Sequence, residues 1–235
     1  MMKRYINYLL VLIFFNCTNE LGKNLTISGN IKGLRKGKLY LQKYINDTTL
    51  INIDSLKIEG VEDFEFSDSL SEAQFYFLTL KKDETDTTLQ KIPFFAEKGK
   101  IKINTRLNTF ISSAKVDGSE NQILWDEYLM VIRKFNNQNI ELVKDYLEKK
   151  GEFDSGKRDE IFEKKNILLN RKKILYSLNF AMNNSNKEIS AYIGIYELNN
   201  ISKKYLDSLY FKLNKEIQNS FYGRKLKNKL ESFEK

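Results

Sequence analysis

The chain has 235 residues, of which 41% are hydrophobic and 30% are charged, and its formal net charge is +8. This composition supports a packed core, in one large domain or two small ones, and the interspersed charges disfavour general disorder. The chain contains no histidine and only one cysteine, Cys17. Those two facts exclude Ser-His and Cys-His catalytic pairs, an intrachain disulfide, a CxxC redox pair and a thiolate zinc site.

The N-terminus has the order of residues found in a secretory signal. Lys3 and Arg4 form a basic region, and residues 5–15 form an apolar region that is shorter than the ~20 apolar residues of a membrane-spanning helix. Cys17 follows almost at once. This order resembles the lipobox of bacterial lipoproteins, in which the cysteine thiol carries a diacylglycerol and becomes the first residue after cleavage. The resemblance predicts a signal peptide over residues 1–16, lipidation of Cys17 and a tether over residues 17–24.

The residues before the cysteine depart from the usual lipobox, which has Leu followed by two small residues. Phe14, Phe15 and Asn16 occupy those positions. Lipoproteins of the Bacteroidetes group accept looser boxes, and the Asn-, Lys- and Ile-rich composition fits that group. An ordinary cleaved signal and an uncleaved anchor are the alternatives. No acidic run follows the cysteine, so we expect a cell-envelope protein anchored to the membrane and facing the periplasm.

From Leu25 to Val116 the apolar residues recur with a period of two. In "DFEFSD", for example, Phe64 and Phe66 are predicted to point inward while the acidic residues between them point outward. One solvated face per strand favours an antiparallel sheet, and several short strands at regular spacing predict a β-sandwich or an open barrel. Pro93, the only proline, predicts a strand start or a sheet edge.

After "DGSENQ" the period changes to that of amphipathic helices. Segments such as "ILWDEYLMVIRKF" and "KKYLDSLYFKLNKEIQNSF" predict four to six helices, whose leucine and aromatic stripes are typical of a core. The candidate caps of the first helix are Asp117, Ser119 and Asn121, and Gly223 is a candidate helix stop. The predicted class is therefore α+β, with a β-rich domain over residues 25–118 and an α-helical bundle over residues 119–235.

Several stretches of the β-rich part, taken in order, resemble the DUF4369 domain, which precedes a thioredoxin-like domain in many Bacteroidetes lipoproteins. They are "LTISGNIKGLRKGKLYLQKY", "INIDSLKIEGVEDFEFSDSL", "QFYFLTL", "PFFAEKGKIKI" and "KVDGSENQ". The matching positions are Gly29 in the first strand, an "IDS" turn at Ile53–Ser55, a "GxIxI" strand at Gly99, Ile101 and Ile103, and a "GS" step at Gly118 and Ser119. An insertion after Gly60 departs from the family spacing.

The helical part resembles the region that leads into the thioredoxin-like domain of those AhpC/TSA-type proteins. By that resemblance the thioredoxin-like domain, with its CxxC pair, would begin near Lys235. The 235 residues contain one cysteine, so the redox chemistry of the family is not carried over. The resemblance therefore implies that this chain corresponds to the accessory region of those proteins. It also implies that a separately encoded thioredoxin-like protein is one partner.

The acidic residues before and within "DFEFSD" could be a cation site or a general-acid site. These acidic residues are Glu59, Glu62, Asp63 and Glu65. Their alternation with phenylalanines favours a solvated strand face instead. We assign no catalytic residue, cofactor or metal. We expect the basic excess to be a solvated, lysine-rich surface, because no concentrated basic stripe with interleaved aromatics predicts nucleic-acid binding.

The expected function is non-enzymatic binding or scaffolding at the cell envelope. The expected partners are the membrane, through the lipid anchor, and a thioredoxin-like or other envelope protein. One alternative is a hydrolase of envelope glycans, which would need two carboxylates about 5–10 Å apart in a cleft. The other alternative is an inhibitor or immunity-type binding protein.

Overall fold

A computed structural model of the chain describes residues 22–83, 89–148, 155–199 and 201–233. The predicted signal peptide, Cys17 and most of the predicted tether lie outside these ranges. None of the described helices combines the length and the hydropathy that crossing a bilayer requires.

Two four-stranded sheets form the N-terminal half. The first has the order β4-β1-β7-β8 and the second has the order β3-β2-β5-β6. The strands are β1 (Leu25–Lys32), β2 (Lys36–Tyr44), β3 (Leu50–Glu59), β4 (Asp63–Asp68), β5 (Gln74–Lys81), β6 (Gln90–Ala96), β7 (Gly99–Arg106) and β8 (Lys115–Asp117). Pro93 lies in β6, at an edge of the second sheet, as predicted.

The two sheets enclose one apolar core, to which alternate residues of their strands contribute. Ile27, Leu41, Phe64 and Phe66 are among its buried side chains, while the acidic residues beside the two phenylalanines are exposed. This arrangement confirms the period-two pattern in the sequence. Both sheets are open, and the helices follow them in the chain, so the predicted α+β class is confirmed.

One strand pair in the first sheet is parallel, whereas the others are antiparallel. β1 and β7 run in the same direction, with Gly29 opposite Ile103. A side chain at position 29 would overlap the carbonyl oxygen of Ile103. The close approach of the two backbones is therefore the physical reason for glycine at this position.

The predicted "IDS" turn is wrong, because Ile53–Ser55 lie inside β3. The pairing of β3 with β2 shifts between Leu41 and Gln42, which face Asp54 and Asn52 respectively. Ile53 is therefore the extra residue of a β-bulge. The chain turns instead at Gly60, whose φ of 87° favours glycine.

The described residues form six α-helices, which is the upper end of the predicted range of four to six. They are α1 (Glu120–Glu148), α2 (Ser155–Asn183), α3 (Glu188–Tyr196), α4 (Lys203–Lys212), α5 (Lys215–Asn219) and α6 (Phe221–Ser232). The hydroxyl of Ser119 accepts a hydrogen bond from the Gln122 amide at 3.0 Å. Of the three predicted candidates, Ser119 is therefore the N-cap of α1.

Gly223 does not stop a helix, contrary to the prediction. It lies in the first turn of α6, where its amide donates to the Ser220 hydroxyl at 3.3 Å. A side chain at position 223 would overlap the carbonyl oxygens of Ile217 and Gln218 in α5. Glycine is needed here because two helices meet at close range, a reason that local sequence does not reveal.

The helices pack on the outer face of the second sheet through β5 and β6. Phe75 and Phe95 point away from the sandwich core and into the helical core. The Phe75 amide donates to the Tyr222 hydroxyl at 3.0 Å, and the Phe95 amide donates to the Gln122 side chain at 2.8 Å. These contacts join the two halves and create the clefts between them.

Candidate functional site

An aromatic cleft of about 330 Å³ lies between the second sheet and helices α1, α3 and α6. We call it the aromatic cleft. Eight aromatic side chains line it: Tyr44, Phe75, Phe77, Trp125, Tyr192, Tyr196, Phe221 and Tyr222. They come from strands β2 and β5 and from three helices, so only the folded chain brings them together.

The floor of the aromatic cleft is a set of rings in mutual contact. The Phe75 ring lies 4.5 Å from Tyr192 and 5.5 Å from Trp125, measured between centroids. Tyr192 in turn lies 5.2 Å from Tyr222 and 4.8 Å from Tyr196. Most of these contacts are edge-to-face or tilted, which are favourable geometries for aromatic pairs. The floor is thus a fixed apolar surface.

A tight loop between β2 and β3 forms the rim of the aromatic cleft. The Asn46 side chain accepts hydrogen bonds from the amides of Thr48 and Thr49, at 3.0 and 2.7 Å. Asparagine stabilises turns in this way by pairing with the backbone two residues on. The turn places Asp47 at the rim, opposite α6.

Asp47 makes a charged pair across the rim. Its carboxylate accepts from Lys225 Nζ at 2.7 Å and from the Tyr196 hydroxyl at 2.8 Å. These two hydrogen bonds, that of Lys225 first, hold the pKa of Asp47 below its usual range. Lys225 Nζ also lies 4.9 Å from the centroid of the Phe221 ring, within range of a cation–π contact.

Two side chains that line the aromatic cleft carry a hydrogen-bond donor with no partner among the described residues. The donors are the Tyr192 hydroxyl and the indole N–H of Trp125. Both donors keep some exposure to solvent. Among the described residues, the only fully buried side-chain polar atom without a hydrogen bond is Arg158 Nε. Burial raises the pKa of Tyr192, so its hydroxyl remains protonated at neutral pH and can donate. A ligand in the cleft can therefore find both apolar ring surface and free donors.

The aromatic cleft is better suited to binding than to proton transfer. Asp47 is ionised and paired, and its lowered pKa is the opposite of what a general acid needs. Burial also raises the pKa of Tyr196 and Tyr222, which keeps both phenols neutral. A concave, mainly apolar site with a few fixed polar groups is the usual form of a binding pocket.

A second, polar cleft of about 490 Å³ lies on another side of the same junction. Asn121 is at its centre: its amide nitrogen donates to Glu97 and to Glu188, and its side-chain oxygen accepts from the Ile189 amide at 2.8 Å. Glu97 also accepts from the Glu120 amide at 2.7 Å. Glu97 therefore caps the N-terminus of α1, and the Asn121 side chain caps that of α3.

The polar cleft offers little support to the predicted alternative of a carboxylate hydrolase. Glu97 accepts hydrogen bonds from amides at the N-terminus of α1, and Glu188 accepts one from the Asn121 side chain. The hydrogen bond from Lys187 lowers the pKa of Glu120, whereas a general acid needs a raised value. Within the described ranges, no group of three or more acidic or cysteine side chains could hold a metal ion.

The predicted acidic cluster on and before β4 is not a site of convergent carboxylates. Glu62 accepts from the Gly33 amide at 3.0 Å, and Asp63 accepts from the Asn30 side chain at 2.9 Å. Glu59 pairs with Lys57 on the same strand. The interpretation as a largely solvated face is confirmed. Cys17, the one predicted site residue, lies outside the described residues.

The aromatic cleft was not predicted from the sequence, where the aromatic stripes of the helical segments were interpreted as core. Phe75 and Tyr222 are buried, whereas Tyr44 is 38% exposed. One signal was available: turn residues at 45–49 directly follow an aromatic strand. The pairing of that loop with α6 could not be read from the sequence because about 180 residues separate them.

Residues 25–125 match the family model described as Domain of unknown function (DUF4369). The match spans all eight strands and ends at Trp125 in α1, so it supports a DUF4369 domain in the N-terminal part of this chain. No curated protein matches the chain.

Proposed function

We propose that this chain, in which residues 25–125 match the DUF4369 domain, is a lipid-anchored, non-enzymatic protein of the cell envelope. In this proposal it binds a protein partner through the aromatic cleft. A thioredoxin-like protein is one candidate partner, and another envelope protein is the other. The bound segment would present an apolar or aromatic side chain to the cleft floor and a hydrogen-bond acceptor to its free donors.

The observation that carries this proposal is the combination of rings and unpartnered donors in one cleft. Aromatic side chains are enriched in the centres of protein interfaces, where each fills or forms a pocket. Trp125 and Tyr192 supply donors that the fold itself does not use, whereas Glu97 and Glu188 of the polar cleft already accept hydrogen bonds within the fold. The charged pair at the rim would orient the partner and exclude mismatched charges.

The proposed anchor rests on the order of basic, apolar and cysteine residues at the N-terminus. Seven residues, 18–24, separate Cys17 from the first strand. A segment of that length spans at most about 25 Å when fully extended. Lipidation of Cys17 would therefore hold the folded part close to the membrane surface.

The binding role can be tested by quantitative co-purification from solubilised membranes. Tyr44→Ala removes a rim ring that is 38% exposed, and Tyr205→Ala removes a comparably exposed tyrosine of α4 that does not line the cleft. We expect a specific envelope protein to be recovered with the wild type and with Tyr205→Ala, and to be depleted about tenfold with Tyr44→Ala. Equal recovery by both variants would contradict binding through the cleft.

The anchor can be tested separately with Cys17→Ala. We expect the variant to lose metabolic labelling by fatty acid and to leave the membrane fraction, because multiple acyl chains provide the stable attachment. Continued membrane attachment of an unlabelled variant would refute lipidation as the anchor and would leave the cleft experiment unaffected.

A further inference from the structure

Helices α1 and α2 form an antiparallel arm that extends beyond the folded body. In the described part of α1 no residue after Ile132 is buried, and in the described part of α2 none before Ser177 is buried. The two helices contact each other along this length, for example where the Tyr146 and Phe162 rings lie 4.7 Å apart. At 1.5 Å per residue the exposed arm is about 20–25 Å long. We call this pair, residues 133–148 and 157–176, the helical arm.

One face of α2 in the helical arm carries exposed apolar side chains at every seventh position. They are Ile161, Leu168 and Leu175, which are 38%, 53% and 46% exposed. A spacing of seven residues is close to two helical turns, so the three side chains lie in one row. Burying them would be favourable, and nothing in the described residues does so.

Two pairs of basic residues alternate with this apolar row. They are Lys164 with Lys165 and Arg171 with Lys172, all of them exposed. From position 164 to position 175 the helix has five basic residues and no acidic one. Lys165, Arg171 and Lys172 make no ion pair with a described residue, whereas Lys164 pairs with Glu160 at 2.6 Å. We call the three apolar and four basic residues the basic strip.

The spacing within the basic strip fits a lipid surface better than a protein helix. A partner helix needs a continuous seam with two apolar positions in each seven, and the strip has one, flanked by charges. Ile167, which is 58% exposed, lies outside the strip, because successive residues stand about 100° apart around a helix. In a bilayer, single apolar side chains can enter between headgroups while lysine and arginine reach anionic phosphates with their flexible stems. A positively charged amphipathic face is also attracted by the negative potential of anionic lipid.

We propose that the basic strip binds the surface of a bilayer that contains anionic lipid, with α2 lying along the headgroups. This contact is separate from the lipidation of Cys17 and from the aromatic cleft, and it would fix the orientation of the molecule on the membrane. Its affinity depends on headgroup charge, which acyl-chain anchoring does not require.

The experiment places an environment-sensitive bimane label on the strip of the full-length chain. The labelled protein is Leu168→Cys in a Cys17→Ser background, and the control is Asn137→Cys, on an exposed part of α1. Each is mixed with vesicles of phosphatidylcholine alone or of equimolar phosphatidylcholine and phosphatidylglycerol. Any contribution from the apolar N-terminal segment is common to both labels, so it cannot produce a difference between them.

We expect a blue shift of bimane emission at position 168, and not at position 137, with the anionic vesicles only. Salt at about 1 M should abolish the shift, since the Debye length then falls to about 3 Å. Replacing Lys165, Arg171 and Lys172 by glutamine should weaken vesicle binding on the order of a hundredfold. These side chains are exposed, so circular dichroism should report an unchanged fold.

Three results would overturn the proposal: no shift at position 168, equal shifts at both positions, or equal shifts with both kinds of vesicle. A shift produced by soluble polyglutamate but not by anionic vesicles would overturn it as well, because it would indicate an acidic protein partner.

Discussion

Asn121 is one of the buried polar residues that join the two halves. Its buried side chain links the loop after β6 to the N-termini of α1 and α3, through Glu97, Glu188 and the Ile189 amide. The sequence marked Asn121 only as a candidate helix cap. Its actual role could not be predicted, because its partners lie 24 and 67 residues away in the chain.

Asn121→Ala should destabilise the protein by about 2 kcal/mol, because it leaves the buried Ile189 amide and the Glu188 carboxylate without this partner and removes one of the hydrogen bonds to Glu97. Asn137→Ala provides the matched control, since Asn137 is exposed on the same helix; it should change stability by less than about 0.5 kcal/mol. Urea unfolding followed by circular dichroism measures both values. Similar values for the two variants would contradict the role assigned to Asn121.

Asp47 should make the stability of the protein depend on pH in the acid range. Because Lys225 and Tyr196 lower its folded pKa, ionised Asp47 stabilises the fold above its unfolded pKa of about 4. That stabilisation is lost as the pH falls through the lower, folded value. The stability difference between the wild type and Asp47→Asn should therefore shrink from pH ~7 to pH ~3. A difference that stayed constant in urea titrations would contradict the pairing.

For the secondary-structure elements, the spacing of apolar residues in the sequence identifies the strands and helices well. The alternation around Phe64 and Phe66 is confirmed by their burial, and Ser119 is confirmed as a helix cap. The misjudged positions are those where a distant backbone decides the conformation. Ile53–Ser55 form a bulge because of their pairing with β2, and Gly223 is required by its contact with α5.

The helical arm is the element whose local stability should be lowest, because it has few buried contacts. Tyr146 holds its far end: the Arg158 guanidinium lies 4.6 Å from the Tyr146 ring, and the Tyr146 hydroxyl donates to Asp159 at 2.7 Å.

Tyr146→Ala should speed hydrogen exchange of amides near the end of the helical arm on the order of tenfold, by removing a ring contact and a cation–π contact. Amides of β5 should keep their exchange rates and serve as the internal control. Hydrogen exchange followed by mass spectrometry of peptides measures both. A uniform increase across the chain would show that the arm does not open independently.

For the whole molecule, strand side chains in the helical core and hydrogen bonds to strand backbone join the sandwich to the helices. Phe75 and Phe95 belong to β-strands but pack in the helical core, and Tyr222 of α6 accepts a hydrogen bond from the backbone of β5. The sequence predicted two parts with a change of period after residue 118. It could not predict how they dock, since docking depends on side chains from opposite ends of the chain.

Tyr222→Phe should lower the stability of both halves together by about 1–2 kcal/mol, because the buried Phe75 amide loses its acceptor. Tyr205→Phe, at an exposed position, is the control. Hydrogen exchange of peptides from β1, in the sandwich, and from α3, in the helices, should rise together in Tyr222→Phe and stay unchanged in Tyr205→Phe. Faster exchange in the α3 peptides alone would contradict joint unfolding.

The central claim, that the aromatic cleft holds a protein partner at the cell envelope, is tested most directly by photo-crosslinking in living cells. p-Benzoylphenylalanine replaces Phe77 in the aromatic cleft or, as the control, Phe211, which is 77% exposed on α4. We predict a discrete adduct with one envelope protein from position 77, and none with that protein from position 211. The same adducts from both positions, or none from position 77, would contradict the claim.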